Sequence, residues 1–504
     1  MTLIKNTRRF AAALLCLLLA GLCFPAAATA SAADALDLSN PEVNEMFSKR
    51  DFSSEYAGFT TVTLADGAST ADSRAVSISG DTVTIGQDGV YRLSGRLSDG
   101  QITVNAPEKA KVQLVLDGLD VTCSGSAAIN IVNADKVFFT TAPGSSNSLR
   151  STAELDGDVS GAIYSEVDIS FNGSGSLSVV SDKGHGIATK DDLKICSGDY
   201  SISAAKRGLS GKDSIRIGGG SISISAEGDG LHTAHDKSEK GFVFISGGSL
   251  DISCTKDGID ATNYVRIIGG SVSITAGSDG INVAGAEDTG MQPDGSRFEL
   301  AGGIVSILAA EDGIDSNGSI SVSGGQLFIS AAPRGGDGAL DYGSSADISG
   351  GTVIAACSGD MAANFSAASN QGSILYRFEK PHAAGEEISL ADSKGKVLLS
   401  FSPESDWQAV VLSSSDIIPG GSYTLTAGEE SAAIEMDGSI YGNGFGFSFG
   451  PGGMMPPPGM PGEMPLPDMP EGMEPPEFPE GMEPPEFPGE GEKPHRPFAA
   501  GKKP

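Results

Sequence analysis

The chain has 504 residues, a formal net charge of −32 and only 6% aromatic residues. This excess of acid disfavours nucleic acid and anionic membranes as partners, because both are bound through basic patches. After the first 30 residues, no apolar stretch approaches the roughly 20 residues that a membrane span needs, so no transmembrane span is expected.

Residues 1–30 have the features of a secretory signal peptide. Basic residues at the start (Lys5, Arg8 and Arg9) precede an apolar run over residues 10–24 and small residues for cleavage at 28–30. A lipoprotein would carry a small residue directly before its cysteine, where this chain has leucine. The sequence therefore predicts a protein that is secreted or held at the cell surface. The leader holds three basic and no acidic residues, so the exported chain has a charge nearer −35.

Residues 31–74 form a polar lead-in, which we expect to end in a cap over the first repeat. Residues 75–363 are rich in serine and glycine, with alternating runs such as residues 221–226 (SISISA), and strict alternation predicts strands buried on one face. A Gly-Gly pair precedes each such run, beginning at Gly219, Gly247, Gly269, Gly302, Gly324 and Gly350. The spacings are 28, 22, 33, 22 and 26, so the shortest repeat is 22 residues and the longer intervals hold inserted loops.

A 22-residue repeat of short strands predicts a solenoid. Leucine-rich repeats need a leucine and asparagine framework, and a propeller blade needs roughly 40 residues, so the sequence favours an all-β, right-handed, single-stranded parallel β-helix. One interior column of this helix holds Ile202, Ile224, Ile252, Ile274, Ile307 and Ile329. A column of small residues two positions later includes Cys254 and Cys357. Four coils of ~4.8 Å separate these cysteines, which predicts core thiols rather than a disulfide.

The C-terminal part of the chain changes character twice. Residues 364–430 read as short strands joined by turns, which predicts an antiparallel β cap with Trp407 in its core rather than on a sugar-stacking surface. Residues 442–504 are rich in proline, glycine, methionine and glutamate, and the nine residues 471–479 repeat at once as 480–488. Such a segment cannot bury a core and is expected to be a disordered tail, which could contact a cell surface.

Two columns of acidic or amide side chains recur at one corner of the predicted helix. The first, before glycine, holds Asp229, Asp257, Asp279, Asp312 and Asp337, and the second, three residues later, holds Asp260, Asn282 and Asp315. Turn chemistry explains an Asp-Gly pair in each coil but explains the second column less well. Carboxylates ~5 Å apart repel one another, and calcium, which takes six to eight oxygen ligands, would relieve that repulsion. The sequence therefore predicts calcium ligands at Asp229, Asp257, Asp260, Asp279, Asn282, Asp312 and Asp315.

Histidine and basic side chains near this corner leave two alternatives open. The spacing of His232 and His235 could bind zinc, although solvated histidines on a surface loop are the simpler interpretation. Arg207, Lys190 and Lys212 could supply the base of a polysaccharide lyase, which removes a proton from a uronate beside bound calcium. Charge compensation along the ladder is the simpler interpretation of these three residues.

The chain resembles the clostridial carbohydrate-binding, polysaccharide-lyase-like β-helix proteins. The resemblance lies in residues 111–118 (KVQLVLDG), 186–195 (GIATKDDLKI), 208–217 (GLSGKDSIRI) and 229–231 (DGL), and it extends over residues 45–430. It implies a pectate-lyase-like β-helix with bound calcium. It also implies binding of cellulose and acidic plant-type sugars, without an established lyase activity. The resemblance implies that the Asp columns are metal ligands. It does not assign a residue that contacts the sugar.

Three functions remain after these observations. The favoured one is a secreted, non-catalytic protein that binds polysaccharide through a calcium-stabilised β-helix. Acidic sugars suit it better than cellulose, because no aromatic stripe follows any strand column. The alternatives are a calcium-dependent polysaccharide lyase and an adhesive or structural protein of the cell surface.

Overall fold

The computed structural model describes residues 39–155, 157, 159–285, 294–333, 337–359 and 361–442. These residues form an all-β solenoid with two short helices, which confirms the predicted fold class. Neither helix has the length and hydropathy of a membrane span. The predicted signal peptide (1–30) and the predicted tail after its first residue (443–504) lie outside the described residues.

The elements have the following bounds. The helices are α1 (Pro41–Met46) and α2 (Lys49–Phe52). The strands up to the end of the solenoid are β1 (Thr60–Leu64), β2 (Thr70–Ala71), β3 (Val76–Ser79), β4 (Thr82–Ile85), β5 (Gly89–Leu97), β6 (Gln101–Asn105), β7 (Lys111–Cys123), β8 (Ile129–Asn133), β9 (Lys136–Thr141), β10 (Ser146–Ser151), β11 (Gly161–Ser165), β12 (Asp168–Gly173), β13 (Ser176–Ser181), β14 (His185–Thr189), β15 (Asp192–Ile195), β16 (Asp199–Ala204), β17 (Leu209–Gly211), β18 (Ser214–Ile217), β19 (Ser221–Ala226), β20 (Leu231–Thr233), β21 (Phe242–Ile245), β22 (Ser249–Cys254), β23 (Ile259–Ala261), β24 (Tyr264–Ala276), β25 (Ile281–Val283), β26 (Arg297–Ala309), β27 (Ile314–Ser316), β28 (Ser319–Ser330), β29 (Leu340–Tyr342) and β30 (Ser345–Cys357). The strands after it are β31 (Ser373–His382), β32 (Ile388–Asp392), β33 (Val397–Phe401), β34 (Trp407–Ser413), β35 (Ser422–Ala427), β36 (Glu430–Glu435) and β37 (Ile440–Tyr441).

Each coil passes through three faces, as β14, β15 and β16 do in one coil. The first face, here called the short-strand sheet, has twelve strands: β3, β4, β6, β8, β11, β14, β17, β20, β23, β25, β27 and β29. Its strands pair in parallel except in the β3–β4 hairpin. The second and third faces belong to one 21-stranded sheet. From β24 onward, one long strand continues from the second face to the third through the Gly-Gly pair.

The interior columns have the predicted register. Ile202 stacks on Ile224, and Ile274 on Ile307, with every member of this column buried. Cys254 stacks between Ala226 and Ala276, in the small-residue column. All four cysteines in the described part of the chain are buried and free, as predicted for core thiols.

Two kinds of glycine shape the coils for different reasons. In the Gly-Gly pairs the second glycine has a positive φ, such as +94° at Gly220, which other residues adopt only with strain. In the Asp-Gly pairs φ is not in that region. There, a β-carbon at Gly258 would lie 2.3 Å from Ile274 Cγ2 and 2.5 Å from the Gly280 carbonyl oxygen. The Asp-Gly glycine is therefore required by close packing between coils.

The N-terminal helices lie against the second face of the solenoid. Phe47 of α1 packs against Phe244, with 6.3 Å between ring centroids, in a cluster that also contains Phe242 and Tyr264. Asp51 of α2 is fully buried against the Lys136 side chain. The part of the predicted lead-in that reaches the first coil is β1, which pairs in parallel with β5.

The C-terminal strands confirm the predicted antiparallel cap. Strand β34 pairs antiparallel with β30 and β31 at the end of the large sheet. Strands β33, β32, β35 and β36 form a separate four-stranded antiparallel sheet in that order. Trp407 is 1% exposed in the core between them, as predicted.

Candidate functional site

The outer side of the short-strand sheet carries the predicted acidic columns. In β17, β20, β23, β25 and β27, the middle residue of each strand is partly exposed while its two neighbours are buried. The register stacks these middle residues into one row, which we call the central row. In chain order it holds Ser210, His232, Asp260, Asn282, Asp315 and, in β29, Asp341.

A second row, the Asp-Gly row, lies beside the central row. Backbone hydrogen bonds between coils align its members, which are His185, Arg207, Asp229, Asp257, Asp279 and Asp312. Several of these side chains accept a hydrogen bond from the backbone of the next coil. Asp257 Oδ1 accepts from the Asp279 N–H at 3.2 Å, and Asp279 Oδ1 accepts from the Asp312 N–H at 2.8 Å. His185 Nδ1 accepts in the same way from the Arg207 N–H, at 3.1 Å. The row therefore also supports the stacking of the coils.

The register corrects the predicted end of the first acidic column. Backbone hydrogen bonds align Gly338, not Asp337, with Asp312. The repeat here is 26 rather than 22 residues long, and its extra residues move the acid by one position. The second column gains a member that the sequence analysis missed, since Asp341 stacks on Asp315. The sequence feature that could have identified Asp341 is the apolar residue directly before each aspartate, Ile314 before Asp315 and Leu340 before Asp341.

We call the set Asp257, Asp260, Asp279, Asn282, Asp312, Asp315 and Asp341 the acidic ridge. Burial is the largest cause that raises the pKa of four of its carboxyl groups, and neighbouring carboxylates raise it further. The pKa of Asp279 rises to about 7, that of Asp312 to about 8 and that of Asp315 to about 6. The pKa of Asp257 is also raised by burial. These shifts mean that the folded ridge does not readily hold all its negative charges at once.

Among the residues that the structure describes, the acidic ridge has almost no basic partners. No lysine or arginine of the described chain forms an ion pair with the ridge. The basic side chain that contacts it there is His232, whose Nδ1 lies 2.7 Å from Asp260 Oδ2. Neighbouring acids, not cations, are the charged groups that shift the pKa of Asp279 and Asp312.

A second group of acids, which the sequence analysis missed, has basic side chains beside one of its members. The carboxylate oxygens of Asp168, Asp191 and Asp192 lie within 4.8 Å of one another, at the corner between the short-strand sheet and the second face. Here Asp192 is 2.9 Å from Arg216 and 3.9 Å from Lys194. These cations lie beside Asp192, whereas burial and neighbouring acids raise the pKa of Asp191 to about 7.

One amide oxygen in the acidic ridge lacks a partner. Asn282 Oδ1 is buried and has no hydrogen bond within the described structure. It belongs to the central row, between Asp260 and Asp315. A buried carbonyl oxygen without a partner is unfavourable, and carboxylate and amide oxygens are the ligands that calcium prefers. These oxygens are of the type that calcium takes, but no three carboxylates of the ridge are among the described groups whose ligand atoms lie within 4.8 Å of one another.

Asp229 differs from the other predicted calcium ligands. Arg207 Nε donates to its Oδ2 at 2.9 Å, and His232 Nδ1 lies 3.8 Å from the same oxygen. Asp229, His232 and Asp260 form a group whose ligand atoms lie within 4.8 Å of one another. Because Arg207 already balances Asp229, this carboxylate is less available to a cation than those of the ridge. His235 instead lies 3.5 Å from Asp213, so the two histidines do not share a carboxylate.

The three candidate bases have different surroundings. Lys190 Nζ is 3.0 Å from Glu166, and hydrogen bonds to Glu166 and Tyr164 raise its pKa, which disfavours it as a proton acceptor. Arg207 is bound to Asp229. Lys212 is exposed and stacks beside Lys190, because Thr189 pairs with Gly211. The contacts of Lys190 and Arg207 agree with charge compensation.

Comparisons with known proteins show what the chain is similar to. A family model described as "Carbohydrate-binding domain-containing protein" matches residues 79–360. A curated relative with the same description, from Acetivibrio thermocellus, is 38% identical over 136 residues, which cover 26% of this chain and 47% of the relative. A solved structure of the polysaccharide lyase-like protein from C. thermocellum, a gadolinium derivative, is 34% identical with a TM-score of 0.44. That match covers 45% of this chain and 94% of the solved chain. The chain thus spans about half the length of the curated relative.

Proposed function

The chain belongs to the family of carbohydrate-binding domain-containing proteins, and from this premise we propose that it is a secreted, non-catalytic polysaccharide-binding β-helix stabilised by calcium. Secretion rests on the signal peptide predicted at residues 1–30. Calcium rests on the acidic ridge, and the preference for acidic sugars rests on the charge and the few aromatic residues of the chain.

One observation carries the calcium proposal: within the described residues, the ridge concentrates partly buried acids without a lysine or arginine partner, and burial and neighbouring acids raise the pKa of Asp279 and Asp312. Calcium binds oxygens at about 2.4 Å, so each ion would be held by members of neighbouring coils. These members would come from the set Asp257, Asp260, Asp279, Asn282, Asp312, Asp315 and Asp341. Bound calcium supplies positive charge that relieves the repulsion among the carboxylates and attracts the carboxylate of a sugar. The backbone contacts of Asp257 and Asp279 hold these side chains in place between coils.

Removing calcium is expected to make stability depend on pH. The folded-state pKa values of Asp279, Asp312 and Asp315 lie above the ordinary value of about 4 for an unfolded aspartate. Between pH 4 and pH 8 the folded state therefore binds more protons than the unfolded state, so its stability falls as pH rises. In chelator, the melting temperature should decrease from pH 5 to pH 8. Calcium should raise it most at pH 8, which differential scanning fluorimetry can measure.

A matched pair of variants tests whether the calcium-dependent rise in melting temperature arises at the ridge. Asp279→Asn removes a ridge charge and should reduce the rise in melting temperature that calcium produces. Asp251→Asn removes an exposed charge from the third face, outside the ridge, and should leave that rise unchanged. If calcium has no effect on the wild-type protein at any pH, or if both variants respond alike, the calcium proposal is wrong.

Polysaccharide binding is tested on a glycan array with and without chelator. We expect binding to uronate-containing glycans that strengthens with calcium, because a bound cation offsets the negative charge of the protein. Binding to cellulose oligosaccharides alone would show that the acidic-sugar preference is wrong. Absence of binding to every glycan on the array would favour the adhesive or structural alternative. Absorbance of an unsaturated product on polygalacturonate with calcium would instead identify a lyase.

A further inference from the structure

We propose that the C-terminal strands bind a divalent transition metal ion of the zinc type between His382 and Glu430, with Glu386 as a positioning residue. His382 is the last residue of β31, and Glu430 is the first residue of β36. Glu386 lies in the turn between β31 and β32. This inference goes beyond the proposed function and does not depend on it, because the site is away from the short-strand sheet and requires no polysaccharide.

The two ring nitrogens of His382 each face a carboxylate. Nδ1 lies 3.2 Å from Glu386 Oε2, and Nε2 lies 4.0 Å from Glu430 Oε2. A carboxylate only accepts hydrogen bonds and a neutral imidazole carries one proton, so the closer contact favours the proton on Nδ1. Nε2 then presents a lone pair to a second acceptor. His382 is only 6% exposed, and its buried Nε2 has no hydrogen bond within the described structure.

The gap between His382 Nε2 and Glu430 suits a metal ion better than a proton. The separation of 4.0 Å is too long for a hydrogen bond. Zinc binds histidine nitrogen at about 2.0–2.1 Å and carboxylate oxygen at about 2.0–2.2 Å. An ion between the two atoms would therefore reach both with little movement of either side chain. The Glu430 side chain is 32% exposed, so it can adjust and water can complete the coordination.

The surroundings hold the imidazole in place. Its ring stacks on Trp407, with 4.5 Å between centroids and 18° between planes, and Phe378 packs edge-on at 4.8 Å. Glu386 Oε2 also accepts the Ala383 N–H at 3.4 Å. In the described chain, no lysine or arginine forms an ion pair with Glu386 or Glu430. A carboxylate on the second ring nitrogen is the usual partner of a metal-bound histidine, since it fixes the ring and raises its basicity.

The ligand types favour zinc-type ions over calcium at this site. Calcium takes oxygen ligands, whereas an imidazole nitrogen suits zinc, copper and nickel. The ion would join β31 of the 21-stranded sheet to β36 of the four-stranded sheet. We therefore expect zinc to stabilise the C-terminal strands.

Binding at this site can be measured by itself, because Trp407 is the one tryptophan of the chain. Nickel is paramagnetic and should quench Trp407 emission when it binds the stacked imidazole of the untagged, full-length protein. Zinc should reverse this quenching by competition. The titration is made in excess calcium, which occupies sites made of oxygen alone.

Three variants test the assigned roles. His382→Gln and Glu430→Ala each remove a ligand and should abolish the quenching. Glu386→Gln keeps both ligands but loses the carboxylate that orients the ring, so it should weaken nickel binding about tenfold. Glu430→Ala keeps the test decisive if His382→Gln does not fold, because Glu430 lies partly exposed at the start of its strand.

Two further variants are matched controls. Glu429→Ala removes the exposed carboxylate next to Glu430 and should be quenched as wild type is. His232→Gln removes the histidine that lies with Asp229 and Asp260 on the short-strand sheet. It should also leave the Trp407 signal unchanged, since that group is not in the C-terminal strands.

The opposite results would overturn the metal site. Nickel without effect on wild-type emission would do so, as would equal quenching of wild type and Glu430→Ala. If Trp407 emission falls only on acidification and responds to neither metal, a proton occupies the gap and the metal site is wrong. Each of these results leaves the proposed calcium and polysaccharide binding standing, because neither involves His382.

Discussion

Replacing Asp51 with alanine is expected to lower the free energy of unfolding by about 3–5 kcal/mol, the usual cost of removing one partner of a buried ion pair. Asp51 is fully buried, with Lys136 Nζ at 2.7 Å and Lys194 Nζ at 3.9 Å. Burial opposes its ionisation, but Lys136, the Ser48 N–H and Lys194 together outweigh this and lower the pKa of Asp51 to about 2. The variant would leave two lysines beneath α2 without their buried counter-charge.

The same substitution should loosen the N-terminal helices selectively. Asp51 Oδ2 also accepts the Ser48 N–H at 2.8 Å, so the variant loses a helix-capping contact as well. Chemical denaturation measures the loss of stability, and hydrogen exchange should show faster exchange in α1 and α2 than in the coils beneath them. The depressed pKa means that wild type loses this stabilisation only as pH falls from about 4 towards 2.

A surface pair supplies the control for Asp51. Lys111 and Asp135 are 3.6 Å apart with side chains 67% and 46% exposed. Asp135→Ala should therefore cost no more than about 1 kcal/mol. A similar cost for the two variants would show that the buried pair does not hold the helices on the second face.

Replacing Gly280 with alanine is expected to destabilise the solenoid by about 3 kcal/mol, at the upper end of the usual cost of overpacking. The added β-carbon would lie 2.3 Å from Ile307 Cγ2 and 2.5 Å from the Gly313 carbonyl oxygen. Both contacts are to the next coil, so relief requires the stack itself to separate. Urea denaturation measures the effect.

A second glycine separates steric conflict from the general effect of adding a methyl group. A β-carbon added at Gly125 would have no heavy atom within 4 Å, and this glycine does not have a positive φ. Gly125→Ala should therefore change the free energy of unfolding by less than about 0.5 kcal/mol. If Gly280→Ala and Gly125→Ala change the free energy of unfolding equally, the glycine of Asp-Gly is needed for the turn conformation and not for close packing between coils.

The site was predictable where the same short sequence recurs in each coil. Asp257, Asp279 and Asp312 are each followed by Gly-Ile, which placed them in one row although their spacings are 22 and 33 residues. Where the repeat lengthens to 26 residues, the prediction took Asp337 for the next member and missed Asp341. Sequence spacing alone does not show which side of a corner receives the inserted residues.

By itself, the sequence determined the parallel β-helix, its interior isoleucine and small-residue columns, and the burial of Cys254 and Cys357 as thiols. These features repeat along the chain, so they can be recognised from the local periodicity of the sequence. Only the tertiary structure decided which acids have basic partners and where the N-terminal helices lie. Asp51 meets Lys136 and Lys194 across 85 and 143 positions of the chain, and Asp229 meets Arg207 through the contact between coils. Such contacts depend on how distant segments pack, which no local pattern encodes.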